Sequence, residues 1–260
     1  MNHTLQTGNK TGRIHLLDEL RGFALLCMIF YHAFYTMFML FHMEIGARLI
    51  RFFMPAEPFF AGVFVLISGI SSHLSKNNWS RGGKLLAVSM LITAVTMGYD
   101  YFFHAGTTII FGILHMLALS ILIYQAVHKL LNKVPVLLGF CIFILLFLIT
   151  FHIYHGYLGW GDWHINLPVA WFQINHFFMF GIVNDSFYSA DYFPLIPWLF
   201  LFLAGTFLGR WAKDGRFPQW TMRSRIPFLQ WLGRHSLVIY IFHQPVIYAI
   251  LLLLSAFMDQ

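Results

Sequence analysis

Seven apolar stretches, each about as long as a bilayer is thick, divide this chain. A membrane-spanning helix needs roughly 20 predominantly apolar residues. The predicted spans are residues 16–41, 52–74, 85–103, 108–127, 135–154, 194–210 and 236–257. Of the 260 residues, 59% are hydrophobic and only 10% are charged, which is more apolar surface than one soluble core of this size can bury. The sequence therefore predicts an integral membrane protein.

An eighth apolar stretch, residues 168–183, decides the topology. It is short and contains Gln173, Asn175 and His176. If it does not cross, thirteen of the sixteen Lys and Arg residues share one side, which the positive-inside rule makes cytoplasmic. If it crosses, the most basic loop lies outside. The predicted fold is therefore an all-α integral membrane protein, a helical bundle of about seven transmembrane helices plus an outer re-entrant or interfacial segment.

No internal repeat and no long linker divides the chain. We expect a single membrane-embedded domain over residues 1–260, in which residues 1–13 form a short cytoplasmic tail. The outer loop, about 152–193, is rich in Trp, Tyr, His and Gly. Two interpretations stay open for this loop: an aromatic belt at the membrane interface, or a lid or sugar-stacking surface over a cavity.

Polar residues in the first span form one stripe. Arg21 and His32 are eleven residues apart, so they project from one helical face about 16 Å apart along the axis. Asp18 lies one turn before Arg21, where it can pair with the guanidinium. Ionisable groups inside a membrane are costly and usually face the protein interior, so each is a candidate functional residue. The alternative is an ion pair at the inner headgroups and a histidine satisfied in the core.

Two further spans carry polar residues at the depth predicted for His32. Asp100 lies near the outer end of the third span, and His115 lies about two turns below the outer end of the fourth. A histidine held by a carboxylate has a fixed tautomer and increased basicity. We expect His32, His115 and Asp100 to converge in the outer half, where they would take a proton from an incoming nucleophile.

A second polar set is expected in the inner half of the membrane. Its members are Arg21, Ser68, Gly69, His243 and Gln244. Lys76, Arg81 and Lys84 follow on the cytoplasmic side, where they would meet a multiply charged phosphate ligand or would serve only to orient the helices. Nucleotide-hydrolysis, dinucleotide and zinc motifs are lacking, so we expect no metal.

Five segments resemble a known family. LLDELRGFALLCMIFYH resembles the first helix of the transmembrane acyltransferase superfamily, whose signature is Arg, ten residues and then His, here Arg21 and His32. GVFVLISGISS is similar to the second-helix segment that ends in Ser-Gly. IIFGILHMLALS, DYFPLIPWLFLFLAG and WLGRHSLVIYIFHQPV resemble more specifically the bacterial domain related to heparan-α-glucosaminide N-acetyltransferase.

The resemblance implies a membrane enzyme that takes an acetyl or other short acyl group from cytoplasmic acyl-CoA. The acceptor would be an amine or hydroxyl at the outer face, commonly of a sugar. His32 would be the catalytic candidate and Arg21 its signature partner, while the matching segments make Ser68, Gly69, His115, His243 and Gln244 candidates for lining the site. Asp191 would help to close the outer mouth.

The role of His32 has two forms, and the sequence does not choose between them. His32 would either deprotonate the acceptor for direct attack on the thioester or carry the acyl group itself as an acyl-imidazole.

The expected partners are acyl-CoA, a glycan or small amine or hydroxyl acceptor, and the lipid bilayer, with no nucleic acid. Family enzymes with sugar substrates generally have more helices, which a homodimer of this chain would replace. The expected location is the plasma (inner) membrane with a cytoplasmic N-terminus. The alternatives are a small-molecule or proton-coupled transporter that uses the same buried His and Asp residues and a non-catalytic membrane subunit.

Overall fold

The computed structural model describes residues 13–258. Residues 1–12, on which nearly all of the expected cytoplasmic tail falls, and residues 259–260 lie outside the described residues. The described chain is built almost entirely from helices and one small hairpin. In chain order these are α1 (His15–Met39), α2 (Glu44–Phe53), α3 (Glu57–Leu74), α4 (Asn78–Phe103), α5 (Ile113–Leu131), α6 (Val136–Thr150), β1 (Tyr157–Trp160), β2 (Trp163–Asn166), α7 (Leu195–Lys213), α8 (Pro227–Arg234) and α9 (Ser236–Met258).

Within residues 13–258, seven helical segments are long and apolar enough to cross a membrane. They correspond to the seven predicted spans, so the all-α membrane fold is confirmed. The second segment begins earlier than predicted, at Glu44, because α2 and a short 3-10 turn run directly into α3. Residues 168–183 contain only two short 3-10 helices, Val169–Gln173 and Phe178–Phe180, and are therefore too irregular to form an eighth spanning helix.

The chain divides into two compact units. One comprises Met1–Phe64 with Ala212–Gln260, and the other comprises Val65–Trp211. α3 passes from the first unit into the second. The single domain expected over residues 1–260 stays a prediction.

In the first unit, α1 and α8 cross at two glycines. A Cβ atom on Gly22 would lie 1.9 Å from the carbonyl oxygen of Leu229, and one on Gly233 would lie 1.9 Å from the carbonyl oxygen of Asp18. The two backbones therefore touch where neither residue has a side chain. Small residues at a helix crossing permit this close approach in membrane proteins. The eight-residue α8 was not predicted, because it lies in a segment that reads as a basic loop.

The second unit has the same kind of close backbone contact, at two glycines, between α3 and α7. A Cβ atom on Gly69 would lie 2.0 Å from the carbonyl oxygen of Phe202, and one on Gly205 would lie 2.2 Å from the carbonyl oxygen of Leu66. Phe202 itself is fully buried. The helix backbones are thus in direct contact at this point.

The outer loop carries the hairpin of β1 and β2, which pair antiparallel with Trp160 opposite Trp163. The ring of Trp160 stacks on Phe151 at a centroid distance of 5.4 Å, and its Nε1 donates to the carbonyl of Leu148 at 2.6 Å. These two contacts fix the hairpin to the end of α6. Trp163 is 91% exposed, so it remains available for either of the interpretations of this loop.

The Gly22 contact predicts a large effect from one methyl group. We expect Gly22→Ala to lower the free energy of unfolding by about 1–3 kcal/mol, because the new Cβ overlaps backbone atoms that cannot rotate away. Gly83→Ala is the matched control, since no atom lies within 4 Å of a Cβ there and alanine favours the helix. Thermal unfolding in detergent measures both, and equal midpoints for the two variants would contradict the contact.

Candidate active site

The residues expected to form the site divide between the two units. The first unit contains Arg21, His32, His243 and Gln244; the second contains Ser68, Gly69, Lys76, Arg81, Lys84, Asp100, His115 and Asp191. The expected convergence of His32 with Asp100 and His115 joins residues of different units, and it stays a prediction.

The beginning of α1 buries a carboxylate among cations. Asp18 is 6% exposed and accepts from Nε of Arg13 at 2.7 Å and from Nη1 of Arg21 at 3.4 Å. Nε of Arg234, at the end of α8, lies 3.8 Å from the same carboxylate. The predicted pair of Asp18 and Arg21 is therefore present. Arg234 joins it because α8 packs on this face of α1.

Glu19, the next residue, is a buried carboxylate that the sequence analysis missed. It is 6% exposed, and its Oε1 accepts from the backbone N–H of Arg225 at 2.6 Å, from the N–H of Ile226 at 3.0 Å and from the hydroxyl of Ser224 at 3.1 Å. These donors lead into the N-terminus of α8, where a negative charge is stabilised by unsatisfied N–H groups and the helix dipole. Glu19 thus anchors the loop that places α8 on α1.

His32 and His243 are neighbours in the first unit. Their ring centroids are 4.9 Å apart, with an angle of 55° between the ring planes. The sequence predicts His243 in the inner half and His32 in the outer half, and this prediction of different depths is wrong, because the two rings are in contact. The reason is α8, which covers the first turns of α1, so that α9 meets α1 only beyond that point. His243 therefore reaches His32 although it lies only two turns into its own helix.

The two neighbouring residues of α9 have different surroundings. His243 is 8% exposed, and its Nδ1 lies 2.5 Å from the carbonyl oxygen of Tyr240. Gln244 is exposed, because adjacent residues of a helix point in directions 100° apart. The expected participation of Gln244 in a site stays a prediction.

In the second unit, His115 is held by a hydroxyl and a backbone N–H. The Thr93 hydroxyl uses its proton to donate to the carbonyl of Ile109 at 2.7 Å. Nε2 of His115 therefore donates to the hydroxyl oxygen of Thr93, at 3.2 Å. Nδ1 then accepts from the N–H of Gly112 at 3.3 Å. Both ring nitrogens are therefore engaged, and neither hydrogen bond involves the carboxylate expected from the sequence.

Asp100 uses its carboxylate within its own loop. It accepts from the N–H of Gly106 at 2.5 Å, from the N–H of Thr107 at 3.3 Å and from the hydroxyl of Thr108 at 2.9 Å. These bonds close the turn after α4, where His104 has a positive φ of 48°. Asp100 therefore stabilises the connection to α5 rather than orienting His115.

The end of α3 and the beginning of α4 share a polar cluster. The hydroxyl of the fully buried Ser72 donates to the carbonyl of Ser68 at 2.8 Å and accepts from Nη1 of Arg81 at 3.3 Å. Lys76 and Lys84, in contrast, are exposed. Arg81 is thus partly engaged in the α3–α4 turn, whereas the two lysines lie on the protein surface. Gly69, one turn before His73, has its open face filled by α7.

Asp191 lies at the N-terminus of α5. It has a positive φ of 53°, and its Oδ2 accepts from the N–H of Ile113 at 3.4 Å. The adjacent Tyr192 donates its hydroxyl to the carbonyl of Phe178. Burial raises the pKa of Tyr192, which keeps this phenol protonated and able to donate. The segment that precedes α7 is thereby tied to the N-terminus of α5. The closing role expected of Asp191 stays a prediction.

Comparison with known families adds to this geometry. A family model described as heparan-alpha-glucosaminide N-acetyltransferase, catalytic, matches residues 13–245. The chain belongs to this family. No curated protein and no solved structure matches the chain.

Membership of the heparan-alpha-glucosaminide N-acetyltransferase catalytic family confirms the resemblance found in the sequence. The matched region contains α1, α8 and His243. The protein is thus a multi-pass membrane protein of a transmembrane acetyltransferase family. Within residues 13–258, no group of three or more His, Cys, Asp or Glu side chains could hold a metal ion.

The Glu19 contacts predict a measurable stability loss. We expect Glu19→Ala to lower the thermal midpoint in detergent, because it removes the carboxylate that accepts from the N–H groups of Arg225 and Ile226, and a hydrogen bond to a charged group contributes about 1.5–3 kcal/mol. Asp214→Ala is the control, since its ion pair with Arg216 is exposed and long at 4.0 Å and is worth about 0–1 kcal/mol. Equal midpoints would show that Glu19 does not anchor α8.

Proposed function

We propose that this protein is a membrane acyltransferase that moves an acetyl or other short acyl group from cytoplasmic acyl-CoA to an amine or hydroxyl at the outer face. The acceptor class we favour is a sugar. One observation carries the proposal. The signature residues Arg21 and His32 lie on a membrane-spanning helix of a chain that belongs to the acetyltransferase family, and His32 contacts a second, buried histidine. Ionisable side chains in such positions are retained for function rather than stability.

The donor would bind through its phosphates at the cytoplasmic ends of α3 and α4. Lys76 and Lys84 are exposed there, and flexible lysine side chains bind phosphate as point charges. Arg81 is half-buried beside Ser72, so it would contribute less directly. Arg21 is 15% exposed and paired with Asp18, and it would maintain the orientation of α1 rather than take a phosphate.

His32 would act on the acceptor. In direct transfer, it takes the proton of the acceptor while the amine nitrogen or hydroxyl oxygen bonds to the thioester carbon, and the carbon–sulfur bond then breaks. The departing thiolate receives the proton from His32. A positioned base of this kind typically contributes about 10²–10⁴-fold to the rate.

The donor site is tested by thermal unfolding. We expect acetyl-CoA to raise the midpoint of the detergent-purified protein, since a ligand at a hundred times its dissociation constant adds about 2.7 kcal/mol. Dephospho-CoA should stabilise less than CoA, because it lacks one phosphate for the lysines.

Lys76→Ala and Lys84→Ala should each reduce the shift, and Arg48→Ala should not. Arg48 is also exposed, but it lies on α2 and outside the basic residues assigned to the cytoplasmic side. A folded, monodisperse protein that none of these nucleotides stabilises would favour the transporter or the non-catalytic alternative instead.

His32→Ala tests the chemical step. We expect transfer from acetyl-CoA to glucosamine to fall by about 10²-fold or more, while the acetyl-CoA-dependent rise in midpoint persists. His235→Ala is the control, because His235 is exposed at the end of α8. Undiminished transfer in His32→Ala would refute its catalytic role. Acetylated His32, detected by mass spectrometry after acetyl-CoA alone, would replace direct transfer with the two-step route.

A further inference from the structure

The side chain of His243 has one defined orientation. Its Nδ1 lies 2.5 Å from the carbonyl oxygen of Tyr240 on the same helix. A carbonyl only accepts hydrogen bonds, so Nδ1 carries the proton and Nε2 of the neutral ring has a free lone pair. Nε2 lies on the opposite side of the ring from this bond and therefore points away from the backbone of α9.

That lone pair is buried and has no partner. Nε2 of His243 is one of four buried side-chain nitrogen or oxygen atoms, within the described residues, that make no hydrogen bond. A second is Oγ1 of Thr36, which lies one turn beyond His32 on α1 and belongs to a residue that is 2% exposed. Buried polar groups are normally satisfied, and an unsatisfied one costs free energy. Two of the exceptions thus flank His32, one beside it and one on its own helix.

We infer that His243 is a positioning residue for His32, with Nε2 as the acceptor for the proton-bearing nitrogen of the His32 ring. The centroid distance of 4.9 Å brings the rings close enough for a small rotation of His32 to form this bond. The arrangement then runs from the carbonyl of Tyr240 through His243 to His32, so that a base is oriented by a second group, which is itself fixed by a third.

The inference rests on the proposed function and adds one step to it. When the acceptor attacks the thioester carbon, its N–H or O–H bond breaks and the proton passes to His32. The imidazolium of His32 then donates its other N–H to Nε2 of His243. The carbon–sulfur bond breaks, and the thiolate takes the transferred proton from His32, which returns His32 to its neutral state, while His243 stays neutral throughout.

A neutral acceptor suits this location. A carboxylate in the place of His243 would bring a permanent charge into a membrane-spanning segment, which is expensive. The imidazole of His243 instead offers a dipole and a lone pair. Its hydrogen bond with His32 reaches full strength only while His32 is charged. In the resting state, the free-energy cost of His243 is that of one buried nitrogen without a hydrogen bond.

The test compares two substitutions at His243 in the full-length protein. Asparagine keeps a donor for the Tyr240 carbonyl but removes the atom at Nε2, whereas glutamine places an amide oxygen near Nε2. With acetyl-CoA and glucosamine, we expect His243→Asn to lower kcat about 10–100-fold, the size of the loss seen when a group that orients a metal-binding histidine is removed. KM for acetyl-CoA and its thermal stabilisation should not change. His243→Gln should recover part of kcat.

A double variant separates positioning from a structural role. In the His32→Ala background, His243→Asn should cause no further loss, because the two residues act as a unit. His128→Asn is the matched control, since Nδ1 of His128 also bonds the carbonyl three residues earlier, at 2.6 Å, but His128 lies at the end of α5 and should leave kcat unchanged.

The outcomes distinguish the two proposals. Wild-type protein that transfers no acetyl group and is not stabilised by acetyl-CoA refutes the proposed function, and the role of His243 with it. Active wild-type protein with an unchanged kcat in His243→Asn refutes the positioning role alone. Three other results also refute the positioning role: a raised KM at constant kcat, an equal loss of kcat in the asparagine and glutamine variants, or losses of kcat that add in the double variant. If His243→Asn does not fold, His243→Gln in the presence and absence of His32 decides the additivity.

Discussion

The direct contact of α1 with α8 is the constraint on which the arrangement of the first unit depends. Gly22 and Gly233 let the two backbones touch, and this places Arg234 next to Asp18 and the beginning of α8 next to Glu19. Two adjacent carboxylates in a membrane-spanning helix would otherwise be isolated charges in a medium that does not solvate them. The glycine contact and the carboxylate contacts therefore support each other.

The same contact determines which residues of α9 meet α1. Because α8 occupies the first turns of α1, α9 starts beside a later part of α1, and its third turn lies next to His32. A count of residues from the helix ends that ignores α8 places His243 and His32 at very different depths in the membrane. A helix of eight residues thus aligns two histidines that are separated by more than two hundred positions in the chain.

The spans were predictable from the sequence because each depends on a local property, an apolar stretch of sufficient length. The pair of Asp18 and Arg21 was predictable for the same reason, since both lie within one turn of one helix. The role of Asp100 was not predictable, because its hydrogen-bond partners belong to a tight turn whose backbone geometry cannot be read from the sequence. Gly69 is a candidate for lining the site, and its role there stays a prediction. The backbone of α7 lies against it at Phe202 and Gly205, and only the packed structure identifies that neighbour.

Within residues 13–258, the histidines with 8% exposure or less are His115 and His243, and they show why residue type and depth alone do not define a site. His115 donates through Nε2 and accepts through Nδ1, so its hydrogen-bonding capacity is saturated by Thr93 and Gly112. His243 has the opposite tautomer, in which Nδ1 donates, and the lone pair of its Nε2 makes no hydrogen bond. A ligand could bind a nitrogen of His115 only after one of these hydrogen bonds broke. An unused lone pair beside the family's signature histidine requires no such exchange, and this difference favours the His32–His243 pair as the chemical centre.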